Sequence, residues 1–282
     1  MILEGCQLRS NRDFELTIST PDLQDDVIVR PPFRISFSVD KSIYGGLNKA
    51  QIKTYNLYEA IRSALEKDAE QVNRIIEVSL RVGYKGRLEQ IYSGRVHIGR
   101  TQSEKPDIVS ELESMDGLQA IYGFTSLTVD GGDVIAAIIG DTEGLAQGKI
   151  TNLPKLIRPK VLVGNTIDLI MEQLNRINAQ WYFDDSQLNI ITENEVTRDF
   201  IPVVSSDTGL IGTPTRENKM VTFTTLMNPS VRIGSLVQLV SEISERYNGI
   251  YKCETINYSG DNYGNTWQQT VTGRLSNEYT VL

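Results

Sequence analysis

The sequence contains little histidine and cysteine, and this scarcity excludes several kinds of site. His97 is the only histidine in 282 residues, so one chain cannot supply two histidine ligands to a metal. Cys6 and Cys253 lie near opposite ends of the sequence, a spacing that matches neither a zinc knuckle nor a redox Cys-x-x-Cys motif. We therefore expect two reduced, packed thiols, and neither a metal nor a cofactor.

Long apolar runs and an excess of positive charge are also missing. The longest strongly apolar run, Val134 to Ile139, is far shorter than the ~20 residues of a membrane-spanning helix. Met1 to Ser10 lacks the basic-then-apolar order of a signal peptide, so we expect neither membrane insertion nor export. Acidic residues number 36 and basic residues 28, which argues against sequence-independent capture of nucleic acid by a basic surface.

The signatures of catalysis are absent or weak. The phosphate-loop pattern does not occur, and Asp130-Gly-Gly-Asp133 lacks the alternating ligands of a calcium loop. Glycoside cleavage needs two carboxyl groups across a cleft, one of them with a raised pKa. The candidate pairs have the pattern of turns and exposed strand faces, so we expect them to be solvated; they are Glu111 and Glu113, Asp184 and Asp185, and Glu193 and Glu195. The sequence thus predicts no catalytic residue and no enzyme.

His97 lies in a stretch with the alternation of a strand. Arg95 and His97 would share one face of that strand, and Val96 and Ile98 the other. We expect His97 to be a solvated strand residue and not a catalytic base.

Charge and texture divide the chain into three predicted modules, which are residues 1–107, 108–200 and 201–282. The acidic excess lies in the middle module, while the outer two are close to neutral. No Gly/Ser linker separates them, so we expect the modules to abut.

The first module has the pattern of an antiparallel sheet with one helix. Alternation at Phe33, Ile35 and Phe37 predicts a strand, and further strands are predicted over Ile75–Tyr84 and Leu88–Ile98. Between them, a helical stripe is formed by Leu57, Ile61, Ala64 and Leu65, with Asn56 as the predicted N-cap and Glu59 completing a capping box.

The middle module mixes short helices and strands, which is typical of an α+β domain. Gly131-Gly132-Asp133 predicts the cap of a helix ending at Ile139. A second helix is predicted from Thr166 to Asn178, with Asn165 as its N-cap and Ile177 on its apolar face. Asp184-Asp185-Ser186 predicts a tight turn between two short strands.

The last module is almost entirely strand. Strands separated by turn residues suggest a small antiparallel barrel, and they are predicted over Met220–Leu226, Ser235–Val240, Ile250–Tyr258 and Trp267–Leu275. The apolar residues predicted to form the core of the two outer modules are Phe33, Ile35, Phe37, Leu80, Val82, Val221, Phe223, Leu236, Val237 and Ile256.

Two blocks of motifs resemble the baseplate hub protein of contractile-tailed bacteriophages. The first block comprises Tyr55-Asn-Leu57, Ile61-Arg62, Val82-Gly-Tyr84-Lys-Gly86 and Ile91-Tyr-Ser-Gly94. The second comprises Thr208-Gly-Leu-Ile-Gly-Thr-Pro214, Asn228-Pro229, Val231-Arg-Ile-Gly234, Tyr247-Asn-Gly-Ile-Tyr251, Tyr258-Ser-Gly-Asp261 and Trp267. The middle segment resembles the family more loosely, through Met115-Asp-Gly117, Gly131-Gly132-Asp133 and the helix after Gly164. Tyr258 stands where many relatives have histidine.

The resemblance implies two tail-tube-like antiparallel β-barrels with an intervening α+β domain, a β-rich α+β fold assembled as a homotrimer. Such a hub joins the sixfold tail tube to the threefold central spike and forms part of the DNA channel. The implied partners are the tail tube or tube-initiator protein, the spike, baseplate wedge proteins, and DNA that passes without sequence-specific binding. The implied location is the virion baseplate, after assembly in the host cytoplasm.

An alternative is an OB-like barrel that binds a glycan or single-stranded nucleic acid. Aromatic residues that could stack on sugars or bases cluster in the last module; they are Tyr247, Tyr251, Tyr258, Tyr263 and Trp267. Arg246 and Lys252 are nearly the only basic residues among them, so we expect these aromatics to serve packing.

Overall fold

In the computed structural model, which describes residues 11–175, 179–276 and 279–282, one large sheet carries both outer segments of the chain. Thirteen of the described strands belong to this sheet, and nearly all of its pairs are antiparallel. Its first seven strands are β1 (Arg12–Ser19), β2 (Val27–Val29), β3 (Ile35–Ser42), β4 (Lys49–Tyr55), β5 (Glu77–Tyr84), β6 (Arg87–Glu104) and β7 (Asp107–Met115). Helix α1 (Glu59–Leu65) connects β4 to β5.

An insert of short elements follows β7 and has an apolar core of its own. Its helices are α2 (Leu118–Tyr122), α3 (Val134–Asp141) and α4 (Thr166–Leu174). Its strands are β8 (Phe124–Val129), β9 (Ala146–Ile150), β10 (Lys160–Asn165), β11 (Gln180–Asp184), β12 (Gln187–Ile191) and β13 (Glu195–Val196). β8 pairs with β10, and β12 lies between β11 and β9, so the insert is the predicted mixture of helix and strand.

The last segment returns the chain to the large sheet. Its strands are β14 (Val203–Val204), β15 (Leu210–Glu217), β16 (Met220–Leu226), β17 (Leu236–Leu239), β18 (Gly249–Asp261), β19 (Trp267–Leu275) and β20 (Thr280–Val281), with a 3₁₀ turn at Glu245–Tyr247. β20 pairs with β13 outside the large sheet.

The large sheet repeats one arrangement twice. In the first half-sheet the spatial order is β3, β4, β7, β6, β5, and in the second half-sheet it is β15, β16, β19, β18, β17. In each half-sheet the chain runs through the first and second positions of this order, then through the fifth, the fourth and the third. The halves join where residues 255–261 of β18 pair with β3. The path is open at both ends, so the described strands form no closed barrel.

A β-bulge occurs at the same place in each half-sheet. His97 is the extra residue where Val96 pairs with Ser114 and Ile98 with Glu113. Glu254 is the extra residue where Cys253 pairs with Gly273 and Thr255 with Thr272. The shared bulge fixes a residue-by-residue correspondence between β6 and β18.

The predicted core is confirmed at nine of its ten positions. Those nine side chains are at most 4% exposed, while Phe33 is half-buried and packs against the same core. The reason is visible in β16, where Val221 and Phe223 point inward and threonines alternate with them on the other side.

Several local predictions are confirmed. Asp133 caps α3 by accepting hydrogen bonds from the backbone of Ile135 and Ala136, and Asn165 caps α4 by accepting one from Ile167. α4 ends at Leu174, while the predicted positions Ile177 and Asn178 lie outside the described residues. Cys253 is fully buried as expected, and Cys6 also lies outside the described residues.

The prediction that Asn56 caps α1 is wrong. α1 begins at Glu59 after Tyr58, without a side-chain cap. Asn56 instead adopts a left-handed backbone conformation (φ 57°) and its side chain bonds to Asp107 and to the backbone of Ile108. Asparagine tolerates this conformation better than most residues, so it serves as a tie to β7.

Candidate functional site: a polar sheet face and two buried junctions

The face of the large sheet opposite its core carries mostly hydroxyl and amide side chains. We call this surface the polar face; in its central strands it comprises Ser36, Ser38, Asp40, Gln51, Lys53, Glu111, Glu113, Thr222, Thr224, Thr255, Asn257, Ser259, Gln268, Thr270 and Thr272. Their alternation with buried residues places them all on one side of the pleated strands.

Neighbouring strands are linked across the polar face by paired side chains. In the second half-sheet the hydroxyl oxygens of Thr224 and Thr270 are 3.1 Å apart. At the corresponding place in the first half-sheet, Lys53 Nζ lies 3.4 Å from Glu111 Oε1. The few charges on this face are thus partly neutralised by neighbours, and the surface is polar without a strong net sign.

The insert is held against the sheet by a cluster that we call the carboxylate junction, formed by Lys41, Asp116, Asp184, Asp185 and Arg232. Lys41 from β3 forms ion pairs with both Asp184 and Asp185. Arg232 Nη1 lies 2.9 Å from Asp185 Oδ2, and its other terminal nitrogen donates to the carbonyl of Gln90 in β6. Arg232 therefore ties the insert to both half-sheets.

Burial and neighbouring charges shift the pKa values of the groups in the carboxylate junction. Burial opposes the charge of Lys41, but Asp184 and Asp185 raise its pKa above the ordinary value. Asp116 Oδ1 accepts a hydrogen bond of 2.9 Å from the backbone of Ser186, while its Oδ2 is buried without a hydrogen-bond partner among the described residues. Burial, together with the nearby aspartates, raises the pKa of Asp116 to about 8 against the opposing effect of Lys41. Asp116 is therefore mainly protonated at neutral pH.

The prediction that Asp184 and Asp185 are solvated is wrong. They lie in the predicted tight turn, whose left-handed residues are Asp185 and Ser186, but the turn points into the protein. Their side chains are only 18% and 17% exposed. The turn signal is local, whereas burial is decided by Lys41 and Arg232 from distant segments.

A second contact, the carbonyl junction, joins β18 to the end of β12. Lys252 is 4% exposed, and its Nζ donates to the carbonyls of Thr192 (3.0 Å) and Glu193 (2.9 Å). No carboxylate among the described residues lies within ion-pair distance of it. Burial therefore lowers the pKa of Lys252 to about 8, although the nearby glutamates oppose the shift.

Of the four remaining candidate carboxylates, three have structural partners, and Glu113 lies half-buried on the polar face. Glu193 pairs with Arg274 at 2.8 Å, and Glu195 accepts hydrogen bonds from the hydroxyl of Thr151 and the backbone of Thr192. Glu111 pairs with Lys53 on the polar face. No group of histidine, cysteine and carboxylate side chains suited to a metal ion occurs within the part of the chain that the structure describes.

His97 differs from its prediction because of the bulge. The extra residue breaks the alternation, so Val96 is buried while both His97 and Ile98 are half-buried. His97 Nδ1 lies 3.5 Å from the hydroxyl of Tyr122, at a cleft of about 380 Å³ between β6 and the insert.

The aromatic residues of the last segment are mainly packing residues, as expected. Tyr247, Tyr251, Tyr258 and Trp267 are at most 6% exposed, whereas Tyr263 is exposed. Tyr258 donates a hydrogen bond of 2.8 Å to the carbonyl of Val231, beside the carboxylate junction. The second half-sheet thus offers no aromatic surface on which several bases or sugars could stack.

Lys41, Asp116 and Arg232 are the site residues that sequence reasoning missed. Asp116 and Arg232 lie within motifs that carry the family resemblance, Met115-Asp-Gly117 and Val231-Arg-Ile-Gly234. The sequence signal for Lys41 is weak, because it is only a charged residue that follows the alternating apolar positions of β3. No described helix has both the length and the apolar character needed to cross a bilayer.

The fold is that of phage tail proteins. A prophage 43 kDa tail protein from Shewanella oneidensis superposes with a TM-score of 0.60 at 9% identity, covering 94% of this chain and 99% of that one. A tail protein from Neisseria meningitidis gives 0.56 at 11% identity, with 93% and 96% covered. An Escherichia coli type VI secretion component, described as similar to the T4 tail proteins gp27 and gp5, gives 0.61 at 8% identity, with 93% and 78% covered.

A sequence-family model identifies the chain more narrowly. The chain belongs to the baseplate hub gp41 family, whose model matches residues 14–273. This family consists of structural components of the phage tail baseplate and is not an enzyme family, which confirms the resemblance found in the motifs. No curated protein matches the sequence.

Proposed function

We propose that this protein is the hub that joins the sixfold tail tube to the threefold central spike and lines part of the DNA channel. The observation that carries the proposal is the repeated strand order of the two half-sheets. A chain with two like units presents six of them when three copies assemble, which is the symmetry a tube-to-spike adaptor requires. In this proposal each half-sheet belongs to one tail-tube-like barrel. The predicted modules are residues 1–107, 108–200 and 201–282, and the first of them extends to Met115 because β7 belongs to the first half-sheet.

We further propose that the polar face lines the channel. Hydroxyl and amide groups with locally paired charges offer DNA neither a basic track nor a row of stacking rings. Passage without sequence-specific binding follows from such a wall. The acidic excess of the chain is concentrated in the insert, which in this proposal contacts baseplate wedge proteins.

The chain acts in this proposal as a structural component without catalysis, assembled in the host cytoplasm and located in the virion baseplate. The four buried aromatic residues of the last segment favour this function over a glycan-binding or nucleic-acid-binding barrel.

The test is the native mass of the purified chain, measured by light scattering alone and with the tail-tube and spike proteins of the same phage. We expect three times 31.6 kDa, either for the chain alone or once the spike protein is added. A stable monomer that binds neither protein would contradict the proposal. If that monomer also retained an oligosaccharide or oligonucleotide, the binding-barrel function would replace it.

A further inference from the structure

The two half-sheets differ at one edge. In the second half-sheet, residues 255–261 of β18 pair with β3. In the first half-sheet, the corresponding part of β6 pairs with β7 on one side, and no described strand pairs with residues 100–104 on the other. β15, which corresponds to β3, likewise pairs with β16 alone. An unpaired strand edge is a template for another strand.

The repeat also gives the register in which these two edges would meet. Counting from the bulges at Glu254 and His97, Asn257 corresponds to Arg100, and Ser259 corresponds to Gln102. Within the other pair of strands the cross-strand partners define the match. Asp40 lies opposite Lys49 as Glu217 lies opposite Met220, and Ser38 lies opposite Gln51 as Thr215 lies opposite Thr222.

The side chains at these positions are complementary. Within the chain, Asn257 Nδ2 donates to Asp40 Oδ1 at 2.7 Å across the β18–β3 boundary. The corresponding residues at the two open edges are Arg100 and Glu217, which are both exposed and form no ion pair with a described residue. Arg100 also lies opposite Glu111, which pairs with Lys53. A row of alternating charge therefore reaches the open edge and ends there on a cation.

We infer that the open edge of β6 pairs with β15 of a second copy of this chain, in the register that β18 and β3 use within one chain. Arg100 of one copy then faces Glu217 of the next, and Gln102 faces Thr215. The inference rests on the proposed function, because it specifies how the copies of the hub contact one another.

The contact has defined limits. Gly99 already exchanges backbone hydrogen bonds of 2.9 and 3.0 Å with Lys67, so pairing starts at Arg100. In β15 the three residues Gly212–Pro214 stand where β3 has the single residue Phe37, so the shared register ends at Thr215. The inferred ladder is short, and the charged pair at its start selects the partner and the register.

Disulfide trapping tests the register, with a control that the repeat supplies. Ser38 and Ser259 face each other within one chain, so Ser38→Cys with Ser259→Cys should form an intramolecular disulfide. Gln102→Cys with Thr215→Cys should form the equivalent bond between chains, seen as multiples of 31.6 kDa and as one linked pair of peptides by mass spectrometry. Gln102→Cys with Arg216→Cys, one residue out of register, should not cross-link.

Charge reversal tests the specificity of the contact. Arg100→Glu and Glu217→Arg should each weaken self-association about tenfold or more, because like charges then face each other. The chain carrying both substitutions restores opposite charges between the copies and should recover most of the lost association, less the repulsion that the carboxylate at position 100 meets from Glu111 in its own chain. That recovery also shows that the substituted chains fold.

Each result bears on the inference separately from the proposed function. A trimer that forms the 38–259 disulfide but never the 102–215 disulfide would overturn the inference and leave the hub function intact. The same is true if single charge reversals leave association unchanged. A chain that stays monomeric with its tail partners and forms no 102–215 disulfide would overturn both.

Discussion

Two buried lysines hold the insert against the sheet, and their partners differ. Lys41 in the first half-sheet and Lys252 in the second are each 4% exposed. Lys41 contacts two carboxylates and has a raised pKa, whereas Lys252 contacts carbonyl oxygens and has a pKa lowered to about 8. Burial disfavours the charge of both ammonium groups, and the carboxylate partners of Lys41 outweigh that effect whereas the carbonyl partners of Lys252 do not.

Replacing either lysine by methionine should destabilise the protein, and the loss should be greater at the carboxylate junction. Lys41→Met would leave Asp184 and Asp185 buried beside Arg232 alone, and we expect a loss of about 3–5 kcal/mol in the free energy of unfolding. Lys252→Met would leave only neutral carbonyls without a donor, at a cost of about 1–3 kcal/mol. Urea denaturation of both variants at neutral pH makes the measurement. An equal or larger loss for Lys252→Met would contradict the difference between the two lysines.

The pH dependence of stability should also differ between the two junctions. The pKa of Asp116 is higher in the folded chain, so the folded state holds more protons and stability should fall between about pH 4 and pH 8. Asp116→Asn removes the titrating carboxyl group, so the stability of this variant relative to the parent should increase with pH over that interval. Unfolding free energies at several pH values test this, and a constant difference would contradict it.

The carbonyl junction should respond in the opposite direction. The pKa of Lys252 is lower in the folded chain, so the unfolded state holds more protons and stability should rise between about pH 8 and pH 10.5. Lys252→Met should lose this rise, while Lys53→Met, which removes a partly exposed lysine, should keep it. If the rise persists in Lys252→Met, another group is responsible.

The smallest expected effect concerns corresponding pairs on the polar face. Lys53→Met removes a partly exposed ion pair and should cost at most about 1 kcal/mol, less at high salt. Thr224→Val removes the hydroxyl pair with Thr270 at the corresponding place, at a similar cost that salt does not change. Thermal unfolding of both variants at low and high salt compares them. Identical salt dependence would remove the distinction.

Much of the fold could be predicted because local alternation identifies strands with one buried face. β16 and β19 occur at the predicted residues for this reason. The sequence predicts the end of β6 at Ile98, because Thr101, Gln102 and Ser103 show no apolar alternation. The strand instead continues to Glu104. The cross-strand partner β7 extends this strand, and the sequence of one strand does not reveal its partner.

The candidate site was harder to predict than the fold. The turn at Asp184–Ser186 was recognisable from its residue types, but its burial depends on Lys41 and Arg232 in segments far away in sequence. The repeat of the two half-sheets is implied by the family resemblance but is not visible in the residues themselves. Its corresponding positions hold different residues, such as Arg100 and Asn257, and only the strand order and the bulges reveal it.

The length of β18 has a mechanical consequence. Over its 13 residues this strand pairs with β19 along one edge and with β17 and then β3 along the other. Antiparallel hydrogen bonds lie perpendicular to the strands, so a force along β18 loads the bonds of each ladder together in shear. We therefore expect the chain to resist extension in that direction, so that a pull on one half-sheet is transmitted to the other through the ladder that joins β18 to β3.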